Sequence, residues 1–413
     1  MEGDRSFLEQ VDRWVTDAIR AGGGASLDDL VCRLPGVYPT DVRDAVDRLA
    51  ARGELESSVA GQLRRRACAP RTGIVPAAHL PVPHPLDYDW RFSGAALERL
   101  VAECEQRSDG ARVVVVGAPT VFWALRERER VPATLLDSNR AVVEAFTARR
   151  DFEALLCDVG RDRLPEVAAP VVFLDPPWYG EYEQLFLWAA SRLARDGATV
   201  LISLPAEGTR PGVSDENEAA LRRARIWGLE VTWREPGALP YFSPPFEQNA
   251  LMAAGLPGLP TEWRRGDLVM LTAREGLCGD RPTAVAASPW DEVAVGRVRI
   301  RVRGATGGQS CGDSPRLLQL VPGDVLDNVS RRDPRREQVT VWTSGNRVFG
   351  CESPSELRSI LVVLASDPKE GNVEVTEQLT HGTRSSNINT TVEQLSALLT
   401  LEATELAAMG WAA

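Results

Sequence analysis

The sequence of 413 residues predicts an α/β protein: a mostly parallel, doubly wound sheet in the middle of the chain, preceded by a small helical domain and followed by an α+β domain. Two observations support this fold class. Short apolar runs alternate with helical patterns through the middle of the chain, as expected for βαβ units and a parallel sheet. Several of these runs end in an acidic residue, and open α/β sheets bind ligands at the carboxyl ends of their strands.

The first predicted domain covers residues 1–70. Apolar residues at helical spacing predict a helix over Phe7–Ile19, Ser26 is a suitable N-cap for a second helix, and Thr40 begins a third. The segment 53–66 is then predicted to form a β-hairpin. Three helices followed by a hairpin are typical of a winged helix-turn-helix domain.

The basic run at the end of this domain is the part best suited to nucleic acid. Arg64, Arg65 and Arg66 lie on the predicted wing, where they can contact phosphate groups. The third helix is less suitable, because aspartates alternate with its arginines. Binding of DNA or RNA through the wing and docking to a protein partner therefore both remain open.

A proline-rich segment over 71–85 is predicted to be a semi-rigid linker. It leads into a central domain predicted over 86–275, and residues 277–413 are expected to form a separate α+β domain of unknown role. Seven strands are predicted in the central domain: Val113–Val116, Ala133–Leu136, Phe152–Leu156, Val171–Leu174, Ala198–Ser203, Leu229–Trp233 and Leu268–Leu271.

The residues that follow the first three strands suggest a cofactor site. Gly117 begins the first loop, together with Ala118 and Pro119, and a glycine there lets the backbone approach a ligand closely. Asp137 ends the second strand, where an acid can bind both ribose hydroxyls of a nucleoside cofactor. Asp158 follows the third strand and is expected to bind the adenine amine of the same cofactor.

The turn after the fourth strand is the most informative feature of the sequence. Asp175 can accept a hydrogen bond from an amine, while Pro176 and Pro177 stiffen the turn and leave carbonyl groups as acceptors. Trp178 or Tyr179 can stack on a flat base, a contact worth about 1–3 kcal/mol. Together these residues can hold an amino nitrogen with its lone pair directed at a methyl donor.

Three segments, VVVVGAPTVFWAL at 113–125, LLDSN at 135–139 and FLDPPW at 173–178, resemble the N6-adenine-specific DNA and RNA methyltransferase-like family. The resemblance covers about 86–275. It implies a Rossmann-like class I methyltransferase core, S-adenosylmethionine as cofactor, and methyl transfer to adenine N6 at the Asp-Pro-Pro-Trp turn. The chain departs from most class I methyltransferases in having one glycine, Gly117, in the first loop.

Two alternatives to adenine methylation remain open. The same family resemblance includes protein lysine methyltransferases, which also present an amine at this turn. The single-glycine loop is also compatible with a catalytically weak or inactive adaptor that binds a protein partner. A further segment, Pro240–Leu256, carries Tyr241, Phe242 and Phe246 and either covers the substrate, as the resemblance implies, or forms a packed loop with a short helix.

In the last domain, alternation with Val298, Ile300 and Val302 predicts a strand that places arginines on one face. Arg297, Arg299 and Arg301 belong to this face. It is either a sheet face paired with nearby acids or a surface that binds nucleic acid.

The composition limits the class of protein. The net charge of −11 excludes a general polyanion binder, so any contact with DNA or RNA must come from local basic patches. The seven cysteines form no C-x-x-C pair, so no metal site is expected. No apolar run approaches the roughly 20 residues that span a membrane. The first residues do not resemble a secretory signal, so a cytoplasmic location is expected.

Overall fold

A computed structural model describes residues 2–22, 26–34, 36–64, 75, 77–148, 153–274, 279–286, 290–304, 315–366 and 385–411. The chain divides into two compact units that do not follow chain order. The first unit consists of residues 1–80, 90–243 and 258–285, and the second of residues 81–89, 244–257 and 286–413. None of the described helices is long and apolar enough to cross a membrane.

The N-terminal module, the described part of residues 2–64, contains four helices: α1 (Glu2–Arg20), α2 (Leu27–Arg33), α3 (Pro39–Ala51) and α4 (Ser57–Leu63). The three predicted helices are present, and the Ser26 hydroxyl accepts a hydrogen bond from the backbone of Asp29 at 3.3 Å. The hairpin predicted over 53–66 was wrong for the stretch that α4 occupies. Ala60 and Leu63, three residues apart, are buried, which is a helical spacing.

The first unit continues with an α/β domain in which all seven predicted strands are present, together with one short additional strand. Its elements are β1 (Arg91–Phe92), α5 (Gly94–Ser108), β2 (Val113–Val116), α6 (Pro119–Arg128), β3 (Ala133–Asp137), α7 (Arg140–Thr147), β4 (Glu153–Leu156), β5 (Ala169–Leu174), α8 (Gly180–Leu193), β6 (Ala194–Pro205), a 3-10 helix (Glu207–Thr209), α9 (Val213–Ile226), β7 (Leu229–Phe242) and β8 (Arg265–Ala273).

The strands form one eight-stranded sheet in the order β1-β7-β8-β6-β5-β2-β3-β4. The pairs β3–β4, β2–β3, β2–β5 and β5–β6 are parallel. Strand β8 is antiparallel to both of its neighbours, so β7 runs in the same direction as β6. Six strands therefore point the same way, which confirms the predicted mostly parallel sheet.

Both faces of this sheet are buried, as the continuous valines of β2 require. Val113 and Val115 belong to one apolar core, with residues of α5, α6 and α7, whereas Val114 and Val116 belong to the other, with residues of α8 and α9. Helices thus cover both faces, and the sheet is doubly wound. The carboxyl ends of the parallel strands lie together at one edge of the sheet.

The second unit is built on a five-stranded antiparallel sheet in the order β11-β13-β12-β10-β9. The turn at Ser344-Gly345-Asn346 connects β12 to β13, and the predicted strand around Ile300 is β10. The elements of this unit are α10 (Pro245–Ala253), β9 (Trp290–Val295), β10 (Val298–Arg303), β11 (Leu318–Gln319), two 3-10 helices (Pro322–Asp324 and Pro334–Gln338), β12 (Val341–Thr343), β13 (Val348–Gly350), α11 (Pro354–Ser366) and α12 (Ser385–Ala408).

Candidate active site

Gly117, Asp137 and Asp175 lie side by side at one edge of the large sheet. Leu136 of β3, Val116 of β2 and Leu174 of β5 pair in register across the sheet. Asp137, Gly117 and Asp175 are the residues that directly follow them. The ladder continues into these residues, because the Gly117 N–H donates to the Leu136 carbonyl at 3.0 Å and the Asp175 N–H donates to the Val116 carbonyl at 3.1 Å. Neighbouring strands are about 4.8 Å apart, so the two aspartates lie roughly 10 Å apart with Gly117 between them.

Glycine is required at position 117 for two reasons. Its φ of +68° lies in the left-handed region, which glycine adopts without steric cost. A Cβ atom at this position would lie 2.9 Å from Cε1 of Phe186 and 3.0 Å from the carbonyl oxygen of Asp175. The first loop and the 175–179 turn are therefore in direct contact. Ala118 and Pro119, which complete the loop, are buried, and Pro119 begins α6.

Asp137 has a fixed and nearly buried carboxylate. It is 9% exposed, and Oδ1 accepts a hydrogen bond from the Asn139 backbone N–H at 2.8 Å. Leu156 of β4 pairs with Asp137 in register and is 44% exposed. An apolar side chain open to solvent beside an oriented carboxylate suits a nucleoside, because the base and the ribose hydroxyls need these two kinds of contact.

Asp158, predicted to bind an adenine amine, caps a turn. Its Oδ1 accepts a hydrogen bond from the Gly160 backbone at 2.8 Å, and Oδ2 lies 3.7 Å from Nη1 of Arg161. The side chain is partly exposed next to the end of β4. Its role toward a cofactor stays a prediction.

Asp175 is oriented by two hydroxyl groups. Oη of Tyr241 donates to Oδ1 of Asp175 at 2.6 Å, and Oγ of Ser203 lies 2.6 Å from the same Oη. Because a phenol has one proton, Ser203 must be the donor to Tyr241. Burial, and then the neighbouring Asp175 carboxylate, raise the pKa of Tyr241 well above its usual value. The phenol therefore stays protonated and continues to donate to Asp175.

Trp178 is held on two sides by protein. Its ring meets Tyr241 edge-on, with centroids 5.2 Å apart, and the Arg264 guanidinium lies 4.6 Å from its centroid. The same guanidinium lies 4.1 Å from the centroid of Trp90. A Cβ atom at Gly266 would lie 3.0 Å from Cζ2 of Trp178, so this glycine lets the indole approach β8.

The remaining residues of the turn lead into α8. Pro176 is buried, and the Pro177 carbonyl accepts a hydrogen bond from the Tyr179 N–H at 2.7 Å. Tyr179 is the N-cap of α8 and is half-buried, with the Arg210 guanidinium 5.7 Å from its ring centroid. Of the two aromatic residues predicted to stack on a base, Trp178 already has a guanidinium over its ring at closer range.

Arg210 connects the 175–179 turn to α9 through hydrogen bonds to both. Nη2 of Arg210 donates to the Trp178 carbonyl at 3.1 Å, and Nη1 donates to Glu216 at 2.7 Å.

Glu183 of α8 is fully buried, and neither of its carboxyl oxygens has a hydrogen-bond partner. Burial raises the pKa of Glu183 to about 8; Arg210 opposes this rise and Glu216 adds to it. Glu183 is therefore protonated at neutral pH.

The predicted arginine stripe of β10 is corrected by the structure. Arg299 is 2% exposed, and its guanidinium contacts Asp87 at 2.6 Å and Glu292 at 2.8 Å. Arg301 pairs with the same two carboxylates. Burial works to lower the pKa of Arg299, but the carboxylates outweigh it and raise the pKa. Arg299 and Arg301 neutralise acids of their own unit, so they do not form a surface for phosphate groups.

The other predicted basic residues do not complete such a surface within the described part of the chain. Arg297 is half-buried, and burial lowers its pKa. Nε of Arg64 donates to Asp47 of α3 at 2.8 Å. Arg65 and Arg66 lie outside the described residues.

Residues 81–89, which span the end of the predicted linker, are built into the second unit. Nη1 of Arg299 donates to the Val82 carbonyl at 2.8 Å. Nδ1 of His84 accepts from the Leu86 N–H at 3.1 Å, so Nε2 carries the proton and donates to the Trp342 carbonyl at 3.0 Å. Burial holds the pKa of His84 well below its usual value, and the nearby arginines lower it further. This histidine is thus a neutral structural group.

Sequence reasoning missed the residues that support the 175–179 turn: Ser203, Arg210, Tyr241, Arg264 and Gly266. From the sequence, Tyr241 and Phe242 are expected only to belong to the Pro240–Leu256 segment. In the structure they end β7, while Glu247 and its neighbours lie in the first turn of α10. No local pattern in the sequence of β7 marks Tyr241 as a partner of Asp175, because the alternation of burial is irregular along this strand. The two residues are 66 apart in the sequence.

No protein-family model and no curated protein matches the sequence. Solved structures do. A C9 mutein of the branched-chain polyamine synthase from Thermus thermophilus, in complex with N4-aminopropylspermidine and 5'-methylthioadenosine, is 16% identical; the match covers 69% of this chain and 95% of that chain, with a TM-score of 0.52. The synthase itself, in complex with the same two compounds, is 17% identical over 67% of this chain and 90% of that chain, with a TM-score of 0.50.

The core has a Rossmann-like class I methyltransferase fold. A third similar structure, a TehB-like methyltransferase dependent on S-adenosylmethionine from Corynebacterium glutamicum, is 15% identical over 44% of this chain and 88% of that chain, with a TM-score of 0.29. The two matches with TM-scores of 0.52 and 0.50 are less than 25% identical, so they show the fold alone, and the chemistry must be argued from the residues of this chain.

Proposed function

We propose that this protein transfers a methyl group from S-adenosylmethionine to an amine nitrogen. The observation that carries the proposal is the row formed by Asp137, Gly117 and Asp175 at the carboxyl ends of three neighbouring parallel strands. In open α/β sheets this edge is where ligands bind. The two acids are held by different donors, so each is suited to a separate task.

The residues at one end of the row fit the cofactor. Asp137, oriented by the Asn139 backbone, would hold the ribose hydroxyls, and Leu156 would lie against the adenine ring. Gly117 allows close approach between them and the turn. When bound, S-adenosylmethionine supplies a methyl group on a sulfonium, which is a good leaving group, so positioning matters more than acid–base power.

Asp175 is proposed to hold the amine. Its carboxylate accepts an N–H of the acceptor and thereby directs the nitrogen lone pair toward the methyl group. Tyr241, kept neutral by burial, holds the carboxylate in place. In the transfer the nitrogen would gain a bond to the methyl carbon while the bond from that carbon to sulfur breaks and the neutral thioether leaves. The nitrogen would lose one proton, which the Asp175 carboxylate can accept and pass to water.

Adenine N6 in DNA or RNA is the acceptor that the Asp-Pro-Pro-Trp turn favours. It is an exocyclic amine on a flat ring, and Tyr179 offers a half-buried aromatic ring at the same turn. A base in a duplex would have to be flipped out of the stack to reach Asp175. This choice rests on the turn, because Arg64, Arg299 and Arg301 are paired with acids of the chain itself.

A second candidate acceptor is an aliphatic polyamine. Asp175 in the turn and the exposed Glu181 in the first turn of α8 are carboxylates that could attract a cationic amine. The two similar structures with TM-scores of 0.52 and 0.50 are polyamine synthases, with 5'-methylthioadenosine in the complex. In this case the group transferred would be an aminopropyl group, from a sulfonium donor that leaves 5'-methylthioadenosine.

Calorimetry with S-adenosylmethionine tests the donor site first. Asp137→Ala is expected to abolish binding and Asp175→Ala to preserve it, because only Asp137 lies where the ribose would bind. Equal loss in both variants would contradict separate tasks for the two acids. Failure of the native chain to bind the cofactor would refute the proposal and favour a protein-binding adaptor.

Transfer assays then identify the acceptor. Native protein is incubated with a methyl-labelled donor and an adenine-containing oligonucleotide, spermidine or a pool of unmodified proteins, and in parallel with an aminopropyl sulfonium donor and spermidine. Label in the oligonucleotide that is lost in Asp175→Ala supports adenine methylation. Aminopropyl transfer alone would support the polyamine candidate, and label in protein alone would support lysine methylation.

A further inference from the structure

The turn before α3 packs against the central domain of the same unit. Gly36 has a φ of +71°, and a Cβ atom there would lie 3.1 Å from the Arg265 carbonyl and 3.6 Å from Cβ of Ala206. Tyr38 meets Trp263 edge-on, with ring centroids 5.5 Å apart. The N-terminal module therefore contacts the segment that precedes β8. Strand β6 lies between β8 and β5, the strand that Asp175 follows.

Aromatic contacts continue from this point to the 175–179 turn. Trp263 is 1% exposed and meets Trp90 edge-on at 6.4 Å. Trp90 and Trp178 both contact the guanidinium of Arg264, at 4.1 Å and 4.6 Å. Tyr38 is thus joined to Trp178 through consecutive ring and guanidinium contacts, each within the first unit.

The position of α3 bears on the role of the module. In helix-turn-helix proteins the first residues of the second helix of the motif contact base edges. Here Pro39 and Val42, in the first turn of α3, are buried. Burial raises the pKa of Asp41 to about 6, and the Asp44 carboxylate adds to the rise. The end of α3 that would read bases is therefore partly covered by protein.

The arginines of α3 are also engaged within the module. Arg48 and its neighbour Arg52 bind the nearly buried carboxylate of Asp12 in α1, at 2.6 Å and 2.9 Å. Arg43 pairs with Asp44 at 2.9 Å. These contacts hold α1 against α3 and satisfy the cations that a nucleic-acid-reading helix would present to phosphates.

We infer that Tyr38 is a positioning residue for the transfer reaction, acting through Trp263 and Trp90 on Trp178 and the 175–179 turn. The N-terminal module is then a support for the reaction turn and not a reader of nucleic acid. This inference rests on the proposed function, because its main readout is transfer to the acceptor that the assays above identify. A misplacement of about 1 Å far from the reacting atoms can cost on the order of a hundredfold in rate.

The test compares three variants of the full chain: Tyr38→Ala, Tyr38→Phe and Leu49→Ala. Tyr38→Ala removes the ring that contacts Trp263, and Tyr38→Phe retains it. Leu49→Ala weakens the core of the same module without changing that contact. For each variant we would measure kcat, KM for the donor, the midpoint of thermal unfolding and affinity for a labelled DNA duplex.

Tyr38→Ala is expected to lower kcat about tenfold to a hundredfold with KM for the donor changed less than about twofold, and Tyr38→Phe to restore most of the rate. Leu49→Ala should lower the unfolding midpoint but keep kcat at temperatures where it is folded. An unchanged kcat in Tyr38→Ala would overturn the inference, and so would an equal loss in Leu49→Ala. Loss of duplex affinity in Tyr38→Ala with kcat intact would instead assign the turn to nucleic acid. A native chain that transfers no group at all would refute the proposed function, a result distinct from any of these.

Discussion

Two groups of charged side chains on the sheets of this protein differ in what balances their charge. At the edge of the large sheet, Asp137 and Asp175 accept hydrogen bonds from neutral donors, a backbone N–H and the Tyr241 phenol. On the antiparallel sheet, Arg299 and Arg301 share the carboxylates of Asp87 and Glu292. The first group is oriented by uncharged donors, and the second is balanced by opposite charges.

A pattern of charged residues along one strand therefore does not show whether their side chains are already paired within the protein. Both groups follow a clear strand pattern in the sequence. The difference lies in their partners, and Asp87 is 214 residues from Arg301 along the chain. A buried ion pair holds segments together only while both partners remain, since a buried charge without its partner is costly.

The largest effect on stability is expected when a carboxylate that pairs with Arg299 and Arg301 is removed. Asp87→Asn leaves the buried guanidinium of Arg299 with one carboxylate instead of two and should lower the free energy of unfolding by about 3–5 kcal/mol. Denaturant unfolding measures this change. As a control, Glu166→Gln removes an exposed ion pair with Arg163 and should change stability by less than about 1 kcal/mol. Similar effects in both variants would remove the distinction between the two kinds of pair.

Glu183 is an acid that belongs to neither group, because it is fully buried and neither of its carboxyl oxygens has a hydrogen-bond partner in the described part of the chain. Burial raises the pKa of its carboxyl from the ordinary value of about 4.5 to about 8 in the native protein. Between these values the native state binds a proton that the unfolded state has lost, so stability falls as pH rises from about 5 to 8, on the order of a few kcal/mol in total.

Glu183→Gln should remove this slope and unfold at higher temperature than the native chain at pH 8.5. Unfolding midpoints at several pH values across the window provide the measurement. Glu181→Gln, an exposed position in the same helical turn, should retain the native slope. An unchanged slope in Glu183→Gln would show that another group titrates in this window.

Removing the hydrogen bond that orients Asp175 should lower the rate of group transfer and leave folding intact. Tyr241→Phe removes the hydrogen bond to Asp175, and hydrogen bonds to charged groups contribute about 1.5–3 kcal/mol. A loss of kcat of about tenfold to a hundredfold follows, with little change in KM for the donor. The matched change Tyr182→Phe on α8 should leave the rate near native. A normal rate in Tyr241→Phe would mean that Asp175 is oriented without the phenol.

The smallest effect is expected at Arg64, whose pair with Asp47 is half exposed. Arg64→Ala should change stability by less than about 1 kcal/mol. If the N-terminal module supports the reaction turn, affinity for a DNA duplex should also stay within about twofold of native. Lower affinity for the duplex, together with a slope of log affinity against log salt concentration that is smaller by about one, would instead identify Arg64 as a phosphate contact.

Much of the core followed from local pattern. The valine run at 113–116 and the equivalent runs gave all seven predicted strands, since a strand buried on both faces is continuously apolar. The wing was wrong because Ser57–Leu63 forms a helix, and short apolar stretches do not separate helix from strand without their neighbours.

The sequence by itself determined the parallel sheet and put Asp137 and Asp175 at the ends of its strands, because strand ends and the Asp-Pro-Pro turn are encoded by adjacent residues. Only the tertiary structure decided which groups these charged side chains pair with. Tyr241 reaches Asp175, Asp87 reaches Arg299 and Tyr38 reaches Trp263 across long stretches of chain, and such contacts depend on how the elements pack. Hydrogen bonds and ion pairs act over a few ångströms in space, whatever the separation in sequence, so the sequence supplies the groups and the fold chooses their partners.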